Sequence, residues 1–235
     1  MSAAIQHTIN GNNFWLSHKR CIFWEEQKAL IISDLHFGKT GHFRKEGIGV
    51  PQNIFKEDLQ TLFAQIQFYQ PEKLIIVGDL FHSKENKEMN LFLRWRNDIS
   101  HIKIELIKGN HDILKDDWYA NAGVIVNNQQ SIIGNFIFVH DLDSISDQPS
   151  IFNLQPSTFN QSTNQPTNYI FSGHIHPGVS IKTGSKQSMH FPCFYFGKNY
   201  AVLPAFSKFT GLANIQSNKK DVVYAIVNQS LILVR

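Results

Sequence analysis

Five short clusters in this 235-residue chain carry the side chains able to do chemistry: Asp34-Leu35-His36, Gly78-Asp79, Gly109-Asn110-His111-Asp112, His140, and Gly173-His174-Ile175-His176. Hard carboxylate and amide oxygens mixed with imidazole, and no thiolate, suit a manganese, iron or zinc ion better than calcium. In Asp-x-His and His-x-His, side chains two apart leave a strand on the same face, so both can reach one ion. Asp34, His36, Asp79, Asn110, His140, His174 and His176 are too many ligands for one catalytic ion that keeps an open position. They fit two divalent ions sharing a bridging carboxylate. Paired cations turn water into a nucleophile and neutralise charge growing on a reacting oxyanion. An imidazole such as His111 can then hand a proton to the leaving group. Gly78 and Gly109 bring the following side chain close to an ion or phosphate.

These residues need a frame. Apolar runs lead into each cluster: Ala29–Ser33, Leu74–Gly78, Ile102–Gly109, Phe136–Val139 and Tyr169–Gly173. Their lengths and β-branched and aromatic content read as buried strands. Ligand sites of open α/β sheets gather at the carboxyl ends of such strands. Phe55, Leu59, Leu62, Phe63, Ile66 and Tyr69 keep a helical rhythm that Pro71 stops, and Met89, Phe92, Leu93 and Ile99 mark a second helix. This strand–helix–strand alternation predicts a partly parallel sheet. Short strands in 14–34 and 190–235 are expected to form a meander or a second sheet packed on the first. Residues 144–168, rich in Ser, Asn, Gln and Pro, read as a mobile loop, and the rest as one domain spanning 1–235.

Composition narrows the class. With 42% hydrophobic, 12% aromatic and 17% charged residues, this is an ordinary globular chain. No run approaches the ~18 apolar residues of a membrane span, and polar residues break up the first twenty positions, so the expected compartment is the cytoplasm. Two cysteines make a disulfide framework improbable. The charge is uneven. Residues 148–235 hold seven basic side chains against the single acid Asp221, whereas the first 147 hold 15 basic and 18 acidic ones. Such a basic third suits a polyanionic partner or a plain solvated face.

The order Asp-x-His, Gly-Asp, Gly-Asn-His-Asp, His, Gly-His-x-His resembles the calcineurin-like metallophosphoesterase superfamily. The resemblance implies an α/β fold, a four-layer α/β/β/α sandwich of two mixed sheets. It also implies Asp34, His36 and His176 on a first ion, Asn110, His140 and His174 on a second, and Asp79 bridging. His111 would be the catalytic histidine, Asp112 its orienting carboxylate, and His82 a supporting residue where many relatives carry an acid. A narrower likeness rests on Asp34-Leu-His-Phe-Gly-Lys39, Phe43-Arg44, Gly47, Pro51, Gly78-Asp-Leu-Phe-His82, Phe191–Gly197 and Leu203–Gly211. Those motifs are similar to the ligase-associated DNA-damage-response metallophosphoesterases. They imply DNA as partner and association with an ATP-dependent DNA ligase and a DEAD/DEAH-box helicase. Leu212, where a second glycine would stand, departs from that pattern.

Three classes of function are compatible with these features. The first is a manganese-dependent DNA nuclease or phosphodiesterase in which Lys39 and Arg44, with Lys45, grip a neighbouring phosphate and His42 or Phe43 stacks on a base. The second is a small-molecule diesterase or pyrophosphatase using the same ions. The third is a non-catalytic scaffold, which would have lost ligands that this chain keeps.

Overall fold

The structure, a computed structural model, describes residues 4–39, 54–82, 87–144, 168–182 and 188–234, without the side chains of 87 and 88. Four antiparallel strands come first: β1 (Ile5–Ile9), β2 (Asn12–Ser17), β3 (Cys21–Trp24) and β4 (Ala29–Ile32). From β4 the sheet continues in parallel through β5 (Lys73–Val77), β6 (Lys103–Ile107) and β7 (Val124–Asn127), in the spatial order β1 to β7. Its crossovers carry α1 (Ile54–Tyr69) and α2 (Lys87–Asp98), and a short α3 (Asp116–Asn121) precedes β7.

The second sheet, of nine strands, contains β8 (Gln130–Ile133), β9 (Phe136–Val139) and β10 (Tyr169–Ser172), then β11 (Pro177–Lys182), β12 (Ser188–Phe196) and β13 (Tyr200–Val202). It is completed by β14 (Ala213–Asn214), β15 (Val222–Val227) and β16 (Ser230–Leu233). Both β9 and β13 run parallel to β10.

Side-chain alternation sorts the first sheet's residues into two cores. Leu30, Ile32, Leu74, Ile76, Ile104 and Leu106 face the helices, where they meet Leu62, Ile66 and Phe92. Ala29, Ile31, Ile75, Val77 and Ile107 face the second sheet across an aromatic layer of Phe14, Trp24, Phe136, Phe138 and Phe171. Phe14 lies 5.3 Å from Trp24 and 5.2 Å from Phe136 between ring centroids. Among the described residues all three α-helices pack on the first sheet, giving the helical layer and the two sheets of an α/β sandwich. The outer face of the second sheet carries its own cluster, with Leu142, Ile170, Tyr195 and Val202. Among the described residues no helix is long and apolar enough to cross a membrane.

One tertiary contact fixes the loop beneath the site. The Arg20 guanidinium donates to the carbonyls of Ala205 and Ser207 at 3.2 and 2.7 Å. Phe206 N–H and Ser207 N–H in turn donate to the carbonyls of Ser33 and Asp34. Beside them Asp58 of α1 is 3% exposed. Burial pushes its carboxyl up to about 6, against the Ser207 hydrogen bond and the charges of Lys208 and Arg20. Below pH ~4 the group is protonated whether the chain is folded or not. Above about 6 it is ionised in both states and the fold bears the burial cost, so its contribution to stability falls between those values. Asp58→Asn is therefore expected to raise stability at pH 7.5 by up to ~3 kcal/mol and to flatten the decline between pH 4 and 6. Urea unfolding of both proteins at pH 4 and pH 7.5 checks this.

Candidate metal centre

Two sheets deliver their strand ends to one rim. Asp34, Asp79 and Asn110 come after β4, β5 and β6, while His140 and His174 come after β9 and β10. Parallel pairing within each set puts its exits at one end of its own sheet, and the His174 N–H on the Asp34 carboxylate joins the two ends. The strands stop two residues short of Asp34 and His174, where the backbone turns left-handed. Asp34 (φ 53°), His36 (φ 50°), Asp79 (φ 51°), His174 (φ 69°) and His176 (φ 49°) all occupy that region. Asp and His tolerate it better than most residues, yet each position costs on the order of 1–3 kcal/mol and persists only where its surroundings enforce it. The same-face geometry of Asp34-x-His36 and His174-x-His176 thus comes from paired left-handed turns, not from the strand alternation expected for them.

The enforcement is visible in hydrogen bonds. Asp34 N–H donates to Gly78 carbonyl at 3.1 Å, His36 N–H to Asp79 carbonyl at 2.8 Å, and Gly173 N–H to His140 carbonyl at 3.0 Å. The Asp34 carboxylate bridges the sheets: its Oδ2 accepts from His174 N–H at 3.1 Å and from the Ser33 hydroxyl, which also lies 2.8 Å from Val77 carbonyl. Ser33 is a supporting residue that sequence reasoning missed, and its only signal there is a small polar residue immediately before the first carboxylate.

The remaining atoms converge. Asp34 Oδ1 is 3.4 Å from His176 Nε2 and 4.0 Å from His36 Nε2. His36 Nε2 and His176 Nε2 are 3.2 Å apart. Asp79 Oδ2 lies between this group and the next, 3.8 Å from His36 Nε2 and 3.5 Å from His140 Nε2. His140 Nε2 is also 3.1 Å from Asn110 Oδ1 and 3.2 Å from His174 Nδ1. All seven side chains read from the sequence as metal ligands therefore meet, in two neighbouring groups that share the carboxylates. Asp34, His36 and His176, and again Asp34, Asp79 and His140, bring their ligand atoms within 4.8 Å of one another.

The electrostatics suit cations. Asp34 is wholly buried, and its Oδ1 has no hydrogen-bond partner among the described residues. A lone buried carboxylate oxygen ringed by imidazoles is costly unless a cation or proton joins it. Burial lowers His36 to about 3 despite Asp34 and Asp79, leaving a neutral imidazole. For His140 burial also works downward, but the hydrogen bond and charge of Asp79 and the charge of Asp34 prevail and raise it to about 9. Burial pushes Asp79 up, yet His140 and the His111 N–H outweigh it and hold the carboxyl at about 2. His140 Nδ1–H points at Val77 carbonyl, 3.3 Å away, which fixes the ring and aims Nε2 into the group. These residues fit two divalent ions.

Two glycines make room for this. A Cβ on Gly78 (φ +83°) would fall 1.8 Å from His140 Nδ1, and one on Gly109 would fall 2.2 Å from Asp79 Oδ1. Gly78→Ala is accordingly expected to displace His140 and lower metal affinity at least ~100-fold, more than loss of an outer partner costs. Metal titration followed by calorimetry checks it, and wild-type affinity would show that His140 is not held as described.

Around the ligands the sequence-derived assignments fare unevenly. His111 stands at the rim: its N–H donates to Asp79 Oδ1 at 2.9 Å, and its ring lies 5.4 Å from that of His36. Asp112 does not orient that ring. Its oxygens accept from Gly109 N–H (2.9 Å), Phe81 N–H (3.0 Å) and the Tyr119 hydroxyl (3.3 Å), so it clamps the Gly109–Asp112 turn and holds His111 through the backbone. Burial pushes its carboxyl up to about 6, which the backbone N–H donors oppose. The group against the His111 ring is His82, 4.2 Å away between centroids. Lys39 is half-buried and lines a small recess together with His36; burial lowers its ammonium while the charges of Asp79 and Asp34 raise it. Arg44, with His42, Phe43 and Lys45, lies outside the described residues, as does 145–167 of the expected loop.

The family model described as calcineurin-like phosphoesterase matches residues 28–199. A nuclease MPE from Pseudomonas putida, known from its crystal structure, superposes with a TM-score of 0.74 at 23% identity, over 95% of this chain and 96% of that one. The E. coli phosphoesterase Yfce aligns with a TM-score of 0.43 at 18% identity, over 87% and 96% of the two chains. No curated protein matches the sequence significantly. Matched over most of its length and carrying a two-ion donor set, the chain belongs to the calcineurin-like phosphoesterase family, whose members hydrolyse phosphoester bonds at a dinuclear divalent metal site.

Proposed function

We propose that the chain is a manganese-dependent phosphodiesterase that cleaves DNA strands, with Asp34, His36 and His176 on one ion, Asn110, His140 and His174 on the other, and Asp79 between them. The carrying observation is the convergence of these seven side chains, with His36, His140 and His176 around an Asp34 oxygen that has no hydrogen-bond partner among the described residues. Support for DNA as substrate comes from the basic 148–235 segment, from Lys39 beside the centre, and from the nuclease among the similar structures. The ligase-associated motifs extend the reading to DNA repair alongside an ATP-dependent DNA ligase and a DEAD/DEAH-box helicase.

Divalent ions held by these residues would supply Lewis acidity, lowering the pKa of water and neutralising charge on phosphoryl oxygens. The protein's own residues do the rest. Asp34 and Asp79 gather negative charge at one point and are held rigid by backbone N–H donors. His111 presents its imidazole beside them, where it protonates the departing alkoxide or donates to the phosphoryl group. Lys39 adds a fixed cation for an adjacent phosphate.

The test is Mn²⁺-dependent cleavage of single-stranded, nicked and flapped DNA, run beside a chromogenic phosphodiester. Cleavage of DNA that weakens steeply with salt is the expected result. Hydrolysis of the chromogenic diester with no cut in any DNA would replace the nuclease reading with a small-molecule diesterase. Failure on both would end the proposal.

A further inference from the structure

A cavity of about 310 Å³ opens directly against Asn110, His140 and His174. That is the small end of the ~300–1,000 Å³ of ligand sites, enough for one nucleoside. Its other walls include Asn128, Gln129 and Gln130 of the β7–β8 turn, Lys108 after β6, and Asp141 and Ser144 after β9.

The charges in this lining decide what it takes. Lys108 is the one lysine among the described residues of the lining, and its ammonium is held 2.7 Å from Asp116, which Asn128 also contacts. Asp141 adds a carboxylate on the other side. Away from the metal centre, the described lining therefore leaves no cation free of a carboxylate to hold a second phosphate. Three consecutive amide side chains offer both donors and acceptors, the complement of a nucleobase edge or a sugar hydroxyl. The half-buried Lys39, by contrast, lines a separate small recess with His36.

We infer that this cavity is a nucleoside subsite, in which Asn128, Gln129 and Gln130 hold the sugar and base attached to the phosphoryl group that undergoes hydrolysis. The inference rests on the phosphodiesterase reading and deepens it. It makes the enzyme selective for nucleoside esters over diesters of equal reactivity that lack a nucleoside.

The experiment compares two substrates that share a leaving group, thymidine para-nitrophenyl phosphate and bis-para-nitrophenyl phosphate, with Mn²⁺-loaded protein. The quantity read is the ratio of their kcat/KM values. In the wild type it favours the nucleoside ester. Gln129→Ala is expected to lower the ratio by roughly 3–10-fold, the worth of a neutral hydrogen bond. Gln129→Trp, which fills the cavity, should lower it by at least about tenfold. A ratio within about twofold of wild type in both variants overturns the subsite, and the turn is exposed, so folding is not at issue. If the wild type hydrolyses neither diester, the phosphodiesterase reading itself falls, and the subsite with it.

Discussion

Asp34→Asn is expected to abolish metal loading and turnover while leaving the fold intact. The amide has the carboxylate's shape, and its oxygen can still accept from the Ser33 hydroxyl and His174 N–H that now meet Oδ2. What disappears is the charge on Oδ1, the buried atom lying within 4.0 Å of imidazole nitrogens of His36, His140 and His176. Loss of an outer-shell partner costs a metal site about 10–100-fold in affinity or activity, so a buried first-contact carboxylate should cost more than ~100-fold in both. In the metal-free protein two opposing changes nearly cancel: neutralising one buried carboxylate relieves its repulsion with Asp79 but also removes part of the charge that favours a protonated His140. Thermal unfolding of the metal-free variant close to the wild-type temperature, with no stabilisation on adding Mn²⁺, is the expected pair of results. A variant that still binds and turns over at near wild-type levels would place the ions elsewhere.

His111→Ala should separate chemistry from metal binding. The link from this residue to the centre is its backbone N–H on Asp79 Oδ1, which alanine keeps, and Asp112 continues to clamp the turn. Metal content is therefore expected to match the wild type while kcat falls by roughly 10²–10⁴. The leaving group sharpens the prediction. A para-nitrophenolate departs without a proton, whereas the alkoxide of a DNA strand needs one. The loss should be several-fold larger on DNA if His111 is the general acid. An equal loss on both substrates would make it a donor to the phosphoryl group, and no loss on either would remove it from the chemistry.

The seven converging side chains were legible in the sequence because each sits at or just past the end of a short apolar run, and five such runs in order are hard to produce by packing alone. Periodicity found α1 through Phe55, Leu59, Leu62 and Ile66, and found its end at Pro71. It did not find α3, whose six residues supply less than two turns of pattern, nor β7 and β8, where Asn127, Gln130 and Ser131 blur the alternation. The exposed Ile125 and Ile132 blur it further, since apolar residues there face outward.

Asp112 shows a different limit. An acid next to a catalytic histidine reads as its partner, yet in a tight turn adjacent side chains diverge, and Asp112 turns inward to Tyr119 and two backbone N–H groups. His82 comes from another strand's loop to fill the place beside His111. Only tertiary pairing of the β4 and β5 loops, where His82 N–H donates to Phe37 carbonyl, brings it there. The left-handed conformations of Asp34, His36, His174 and His176 were likewise beyond local propensity, because they are imposed by hydrogen bonds between loops distant in sequence.

Anomalous diffraction from crystals soaked in Mn²⁺ goes straight to the main assertion. Two manganese peaks per chain, both inside the ring formed by Asp34, His36, Asp79, Asn110, His140, His174 and His176, are the predicted result. A single peak, or peaks bound away from the Asp34 carboxylate, would contradict it.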